Sequence, residues 1–242
     1  SSSYSHFLFK QDLSWLITRK LWLVPSIEYI NEDRNYSGNG NSDSSFFSNV
    51  YYHENQSVDY YRWRRVNSSI GTEIRDSTYQ ISASITSNND YYMNRDKLNW
   101  LGLGANLTFN RIKATNSLHV KGEYHFSGYR KGGYKAQVST DFFIDTSHRI
   151  TADFSTSLLP PKIYQIKYYG NHYKWNYNAI HYPWMNSLGI LYHHNRFNFQ
   201  VNISGTTIKD YFYFDTNMVA SQVNNAHFAS ANIKKDFALG RF

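Results

Sequence analysis

Between residues 118 and 126 the chain reads LHVKGEYHF, and its alternate positions His119, Lys121, Glu123 and His125 all carry acid, base or imidazole groups. Imidazole, ammonium and carboxylate groups this close together raise three kinds of chemistry. A zinc centre needs a compact set of Cys, His or carboxylate ligands. The chain has no Cys, and none of its ten His forms a pair with that spacing. His119 and His125 lie six residues apart, and His193 and His194 are adjacent, which on a strand points them to opposite faces. Acid–base catalysis would need Glu123, Asp141 and Asp153 held at a set separation, which nothing in their order fixes. Nor does any Ser, His and Asp arrangement stand out for nucleophilic attack. The expectation is a protein that is not an enzyme and holds no metal or cofactor.

The other use of these residues is positional. Leu118, Val120, Gly122, Tyr124 and Phe126 occupy the alternate places, so a strand here has one apolar and one ionisable face. The same period recurs along the chain. Tyr134, Ala136, Val138, Thr140 and Phe142 oppose Lys135, Gln137, Ser139 and Asp141; Ile150, Ala152 and Phe154 oppose Arg149, Thr151 and Asp153. Phe197, Phe199, Val201 and Ile203 oppose Asn198, Gln200 and Asn202, and YQISASI and LGLGANLTF repeat the pattern. Six such segments define an all-β chain. An aromatic share of 18% and only four Pro agree with long, uninterrupted strands.

What covers the apolar face follows from the connections. They alternate between short ones, near residues 18–20, 75–77, 112–116, 145–148 and 195–196, and long ones at 33–59, 89–97, 127–133, 160–186 and 209–225. An outer-membrane barrel is strung in this way, with tight periplasmic turns and longer outer loops; a soluble sandwich has no reason to sort its loops by parity. Expected strand lengths of roughly 11–15 residues exceed the ~5–6 of ordinary strands and suit a tilted crossing of a bilayer. Trp15, Trp22, Tyr91, Tyr92, Trp100, Tyr129, Tyr134, Tyr182 and Trp184 gather near strand ends, where aromatic girdles belong. The longest strongly apolar run, LWLV at 21–24, is far too short for a membrane helix. Mean hydropathy is −0.61, which a barrel tolerates because each strand is polar on one side.

These observations predict a transmembrane antiparallel outer-membrane β-barrel, a single domain over residues 1–242 with about 11–14 strands. The apolar parity faces lipid, and the pore-lining set is His119, Lys121, Glu123, His125, Lys135, Gln137, Asp141, Arg149, Asp153, Asn198 and Gln200. If short turns lie inside, the first strand runs inward and the last, at 227–242, ends inward on Phe242. Even strand counts then place at least one further strand before Ser1, so the chain is expected to be the C-terminal part of a larger barrel.

Net charge is +7, but its 25 Lys and Arg are dispersed rather than clustered. Basic and aromatic residues interleave in YYRWRRV (60–66) and KYYGNHYKW (167–175). That pattern serves single-stranded nucleic acid, and equally a strand end at lipid headgroups; with a barrel, headgroups are the expected partner and nucleic acid is not. Residues 158–178, LLPPKIYQIKYYGNHYKWNYN, are the most distinctive. Pro160 and Pro161 must end a strand. Alternation resumes over 163–169 and 172–177, and Gly170-Asn171 between them reads as a two-residue hairpin turn or as a bulge.

This Pro-containing, Tyr-rich strand leading into Asn171, His172, Tyr173 and Trp175 resembles the putative porins of Bacteroidota outer membranes, as does NVYYHENQSVDYYRWRRVNSSIGTEI upstream; the resemblance covers roughly residues 51–177. It implies an outer-membrane barrel and supplies neither catalytic residues nor a substrate. The expected function is passage of small polar solutes or ions, or a structural or accessory role beside other subunits of an outer-membrane complex. The bilayer, with lipopolysaccharide, is the surrounding partner. The barrel of a TonB-dependent transporter and an aromatic-rich glycan-binding surface protein are the alternatives. A barrel should need detergent for extraction and should migrate heat-modifiably on a gel; recovery as a soluble monomer without detergent would contradict it.

Overall fold

The computed structural model describes residues 2–39, 51, 56–171, 173–177, 180–215 and 220–237. Its strands are β1 (Ser2–Asp12), β2 (Trp15–Leu16), β3 (Leu21–Asn39), β4 (Gln56–Arg75), β5 (Tyr79–Met93), β6 (Lys97–Ile112), β7 (Asn116–His125), β8 (Tyr134–Phe143) and β9 (His148–Leu158). A helical turn α1 (Ile163–Ile166) and short strands β10 (Lys167–Tyr169) and β11 (Lys174–Asn176) follow, then β12 (Trp184–His194), β13 (Phe199–Phe214) and β14 (Ala220–Lys235). One antiparallel meander runs β1-β3-β4-β5-β6-β7-β8-β9-β12-β13-β14, with β2 also on β3 and β10-β11 as a separate hairpin.

β1 and β2 are one strand with a gap. Asp12 opposes Ser26 and Trp15 opposes Leu23 in unbroken register. The gap lies opposite Pro25, which has no N–H to give the ladder, although Pro25 still accepts from the Leu13 amide.

Burial is reversed relative to a water-soluble domain. Among the described residues the buried set is rich in Glu32, Asp59, Arg65, Glu73, Asn88 and Asp90, while Leu101 and Ile85 are 68% and 64% exposed. Most of the exposed apolar side chains share one parity and form a band too wide for a monomer in water. In β3 the outward series is apolar from Leu21 to Tyr29 and then turns to Asn31 and Asp33. In β4 it is uncharged from Ile74 to Val66, with Ile74, Ile70 and Val66 alternating with Thr72 and Ser68, and then turns to Arg64 and Arg62. Each span is nine residues long, five of them outward, about what a tilted strand needs to cross hydrocarbon. Beyond that line Arg62 Nε donates to Asp33 at 2.6 Å and Arg64 Nε to Asn31 at 3.1 Å.

Three connections are shorter than their sequence indicates; at 33–59, β3 and β4 stay paired out to Asn39 opposite Gln56. Residues 89–97 look like a loop, but β5 and β6 stay paired up to Met93 opposite Lys97, leaving a three-residue turn. Over 209–225, β13 continues to Phe214 and pairs with β14 at Ala220. The polar Asn and Asp residues of these stretches stand above the hydrocarbon, where an exposed ribbon has no need of apolar alternation. The turns near 18–20, 76–78, 113–115, 144–147 and 195–198 are short, as expected.

An Arg at Val120, Val138 or Val201, all of apolar parity, should cost roughly 2–4 kcal/mol near mid-bilayer. The same change at Gln137 or Gln200 should cost much less. Denaturant titration of folding into lipid vesicles measures both sets, and equal costs would mean the faces are inverted.

Candidate pore and its infolded segment

The connection from β9 to β12 begins where Pro160 and Pro161 stop the ladder, and it folds back over the polar face of the sheet. β9 and β12 are neighbours, yet this segment binds β3, β4 and β5, four to six places along the sheet. Only a sheet curved around a lumen brings those strands within reach.

Its first turn departs from the alternation expected over 163–169. The Lys162 amide donates to Gln165 Oε1 at 2.8 Å and the Gln165 amide to the Lys162 carbonyl at 2.9 Å, closing α1. Tyr164 then lies flat on Tyr61, with centroids 4.8 Å apart. Tyr61 OH donates to Glu32 Oε1 at 2.7 Å, and Lys162 Nζ lies 3.2 Å from Glu32 Oε2. Glu32 is buried and thus takes two partners, as a buried carboxylate requires. Burial works against the charged form of Lys162, but Tyr164 and Glu32 together hold its pKa above the usual lysine value. Burial raises the Tyr164 phenol.

The hairpin β10-β11 is fixed next. Tyr92 OH donates to the Lys167 carbonyl at 2.9 Å, the Tyr169 amide donates to Asn94 Oδ1 at 2.9 Å, and Lys167 Nζ lies 2.7 Å from Asp96. Trp175 Nε1 donates to the Tyr164 carbonyl at 3.0 Å, closing the hairpin on α1. Tyr169 pairs with Lys174, so the hairpin alternative holds over the bulge, with a turn longer than two residues. At its tip the Asn171 amide donates to Asp59 Oδ1. A Cβ on Gly170 would sit 2.7 Å from the Tyr168 ring and 3.0 Å from the Asp59 carboxylate, so only glycine fits.

This strap divides the lumen. On its inner side is a polar cavity of about 530 Å³ lined by Asp12, Glu28, Arg65, Glu73, Lys121 and Glu123 among others. Arg65 is held in its wall by Asp90 at 2.6 Å and lies over Trp63. On its outer side is a cavity of about 520 Å³ bounded by aromatic rings. A groove of about 780 Å³ along Leu23, Ile70, Ile85, Leu107 and Tyr124 lies on the apolar parity and faces lipid.

The pairings put His119, Lys121, Glu123, His125, Lys135, Gln137, Asp141, Arg149, Asp153 and Gln200 on the strap's side of the sheet. Glu123 is a hub, with His125 Nε2 at 2.8 Å and Arg130 at 3.8 Å. Asp141 accepts from Arg149 at 2.7 Å, Thr151 at 2.6 Å and Ser117 at 2.8 Å, so Arg149 is engaged near the inner rim. His119 pairs with Asn110. Asn198 departs from the expected wall position: it caps the 195–197 turn with φ 45°, a left-handed conformation that Asn adopts readily. Parity could not identify Glu32, Asp59, Tyr61, Tyr92 or Asn94, whose importance comes from the strap. Of these only Tyr92 stood out in the sequence, as an aromatic near a strand end suited to the membrane interface; it is instead buried against the strap. His172 and residues 49, 50 and 52–55 of the aromatic motifs lie outside the described residues.

An apolar outer band, a polar interior and an inward strap define an outer-membrane β-barrel. Residues 17–242 match the profile of the family described as "Putative porin", and the chain belongs to that family, over a wider span than the aromatic motifs mark. Its structure is similar to the siderophore receptor PirA from Pseudomonas aeruginosa, at TM-score 0.58 and 10% identity, covering 96% of this chain and 51% of that one. The chain thus spans about half the length of that receptor, and the likeness is one of fold. OmpT, an outer membrane protein of Vibrio cholerae, superposes at TM-score 0.37 and 8% identity over 96% of this chain and 92% of that one, too weakly to carry an argument. No curated protein matches the sequence.

Gly170→Val should lever the hairpin off Asp59 while leaving the barrel folded. Limited trypsin digestion of the detergent-folded protein should then cut at Lys162, Lys167 or Lys174, sites the docked strap protects. Equal resistance in wild type and variant would mean the hairpin tip does not hold the strap.

Proposed function

We propose that this barrel conducts small polar solutes and ions across the bacterial outer membrane, with the strap between β9 and β12 as its narrow point. The observation that carries this reading is the polar cavity on the inner side of the strap. It is walled by charges of both signs, whereas a purely structural barrel would gain stability by filling that space with packed side chains. No catalytic step is assigned to it. Its solvent is the bilayer; Arg62 and Arg64, outward and just past the apolar band, stand where phosphate groups of outer-leaflet lipid, including lipopolysaccharide, would be met.

Mixed charge along the wall favours weak selectivity. Lys121 and Lys135 flank Glu123 and remain exposed, so they are the cations most able to act on passing ions; Arg149 is engaged by Asp141. Replacing Lys121 and Lys135 together by Glu should move the reversal potential toward cation preference in planar bilayers under a salt gradient. Conductance with no shift would take these two side chains off the path. No conductance from correctly folded wild type would favour the structural or accessory role.

A further inference from the structure

The cavity on the outer side of the strap has the chemistry of a binding site as well as of an opening. We propose that it binds a neutral saccharide, captured from the outside before it reaches the strap; this deepens the pore reading and rests on it for direction of travel. Two of the rings around the cavity have their polar ends already engaged, Tyr61 OH on Glu32 and Trp175 on the strap backbone. Trp175 uses Nε1 on the Tyr164 carbonyl and stacks on Tyr168 at 4.8 Å and 23°. Phe214 closes on Trp175 at 5.3 Å. What Tyr61, Trp175 and Phe214 offer a ligand is therefore carbon surface. The charged groups of the cavity come from the strand ends: Arg34, exposed on β3, and Asp59, 7% exposed on β4, where its Oδ1 takes the Asn171 amide.

This pairing selects among ligand classes. An anion would suit Arg34 but meet the Asp59 carboxylate, and a cation would suit Asp59 but meet the guanidinium. A wholly apolar ligand would strip water from the exposed Arg34 guanidinium and return no hydrogen bond. A pyranose ring has an apolar C–H face for the aromatic wall and hydroxyls that accept from Arg34 and donate to a carboxylate. The volume, about 520 Å³, lies within the range of small-ligand sites, about 300–1,000 Å³. Arg34 and Asp59 have lumen parity, so the sugar of a membrane-embedded lipid does not reach them; a soluble saccharide does.

The test uses single channels in planar bilayers with maltohexaose added to the side of the long loops. Wild type should show brief current interruptions whose frequency rises with sugar concentration. Arg34→Ala, a change at an exposed side chain, should shorten or thin out these events by about tenfold or more, the loss of a charge-assisted hydrogen bond, with open-channel current retained. Phe214→Ala should act in the same direction through lost ring contact. An open wild-type channel that maltohexaose never interrupts overturns the proposal, as does an acidic hexagalacturonate that interrupts it more often than the neutral sugar. If wild type carries no current, the pore reading fails, and the site is read separately by quenching of tryptophan fluorescence in detergent. A saturable maltohexaose signal weakened in Arg34→Ala supports the site; a flat titration overturns it.

Discussion

Everything in this molecule follows from the need to satisfy backbone N–H and C=O groups where no water is available. In hydrocarbon each unpaired peptide group costs several kcal/mol, so crossing segments must give all their hydrogen bonds to neighbours. The meander does so for its inner strands, each long strand from β3 to β13 pairing with the one before and the one after it. Once pairing is fixed, the two-residue period assigns every side chain to lipid or lumen. The band that ends at Tyr29 in β3 and Val66 in β4 is that assignment made visible. The gap opposite Pro25 shows what one missing donor does to the ladder.

The strap answers a second demand. Its backbone leaves the sheet and loses sheet partners, so side chains supply them: Tyr92 to the Lys167 carbonyl, Asn94 to the Tyr169 amide, Asp59 to the Asn171 amide. This explains why Tyr61, Tyr92, Glu32, Asp59 and Asn94, which meet the strap, are among the buried residues described. A Tyr ring gives apolar area for packing and a hydroxyl at the far end, which suits a boundary between a protein segment and a wet lumen. Glu32 illustrates the cost: it is buried because the strap covers it, and tolerable because Tyr61 and Lys162 meet it there.

Strand identity and parity were legible in the sequence because they are local: a period of two can be counted in LHVKGEYHF without knowing its neighbours. Strand ends were less so. Over 89–97 and 209–225, Asn, Asp and Tyr read as loop, yet pairing continues past the membrane, held by cross-strand contacts invisible in one strand alone. The strap was marked as unusual by Pro160, Pro161 and its Tyr content, but its docking was not legible. Glu32 and Lys162 are 130 positions apart, and Asp59 meets the hairpin tip only because the sheet curves. Nor could parity tell that Asn198 would be spent on a left-handed turn.

The two strands that carry the strap lie side by side, with Leu158 opposite Trp184. The whole segment is thus an insertion at the tip of an ordinary hairpin, and a turn of a few residues would close the same pair. Descent can therefore rewrite the interior of such a barrel, lengthening, shortening or replacing what hangs inside, without disturbing the register of a single strand. Homologues with the same wall would then differ in appetite rather than in architecture.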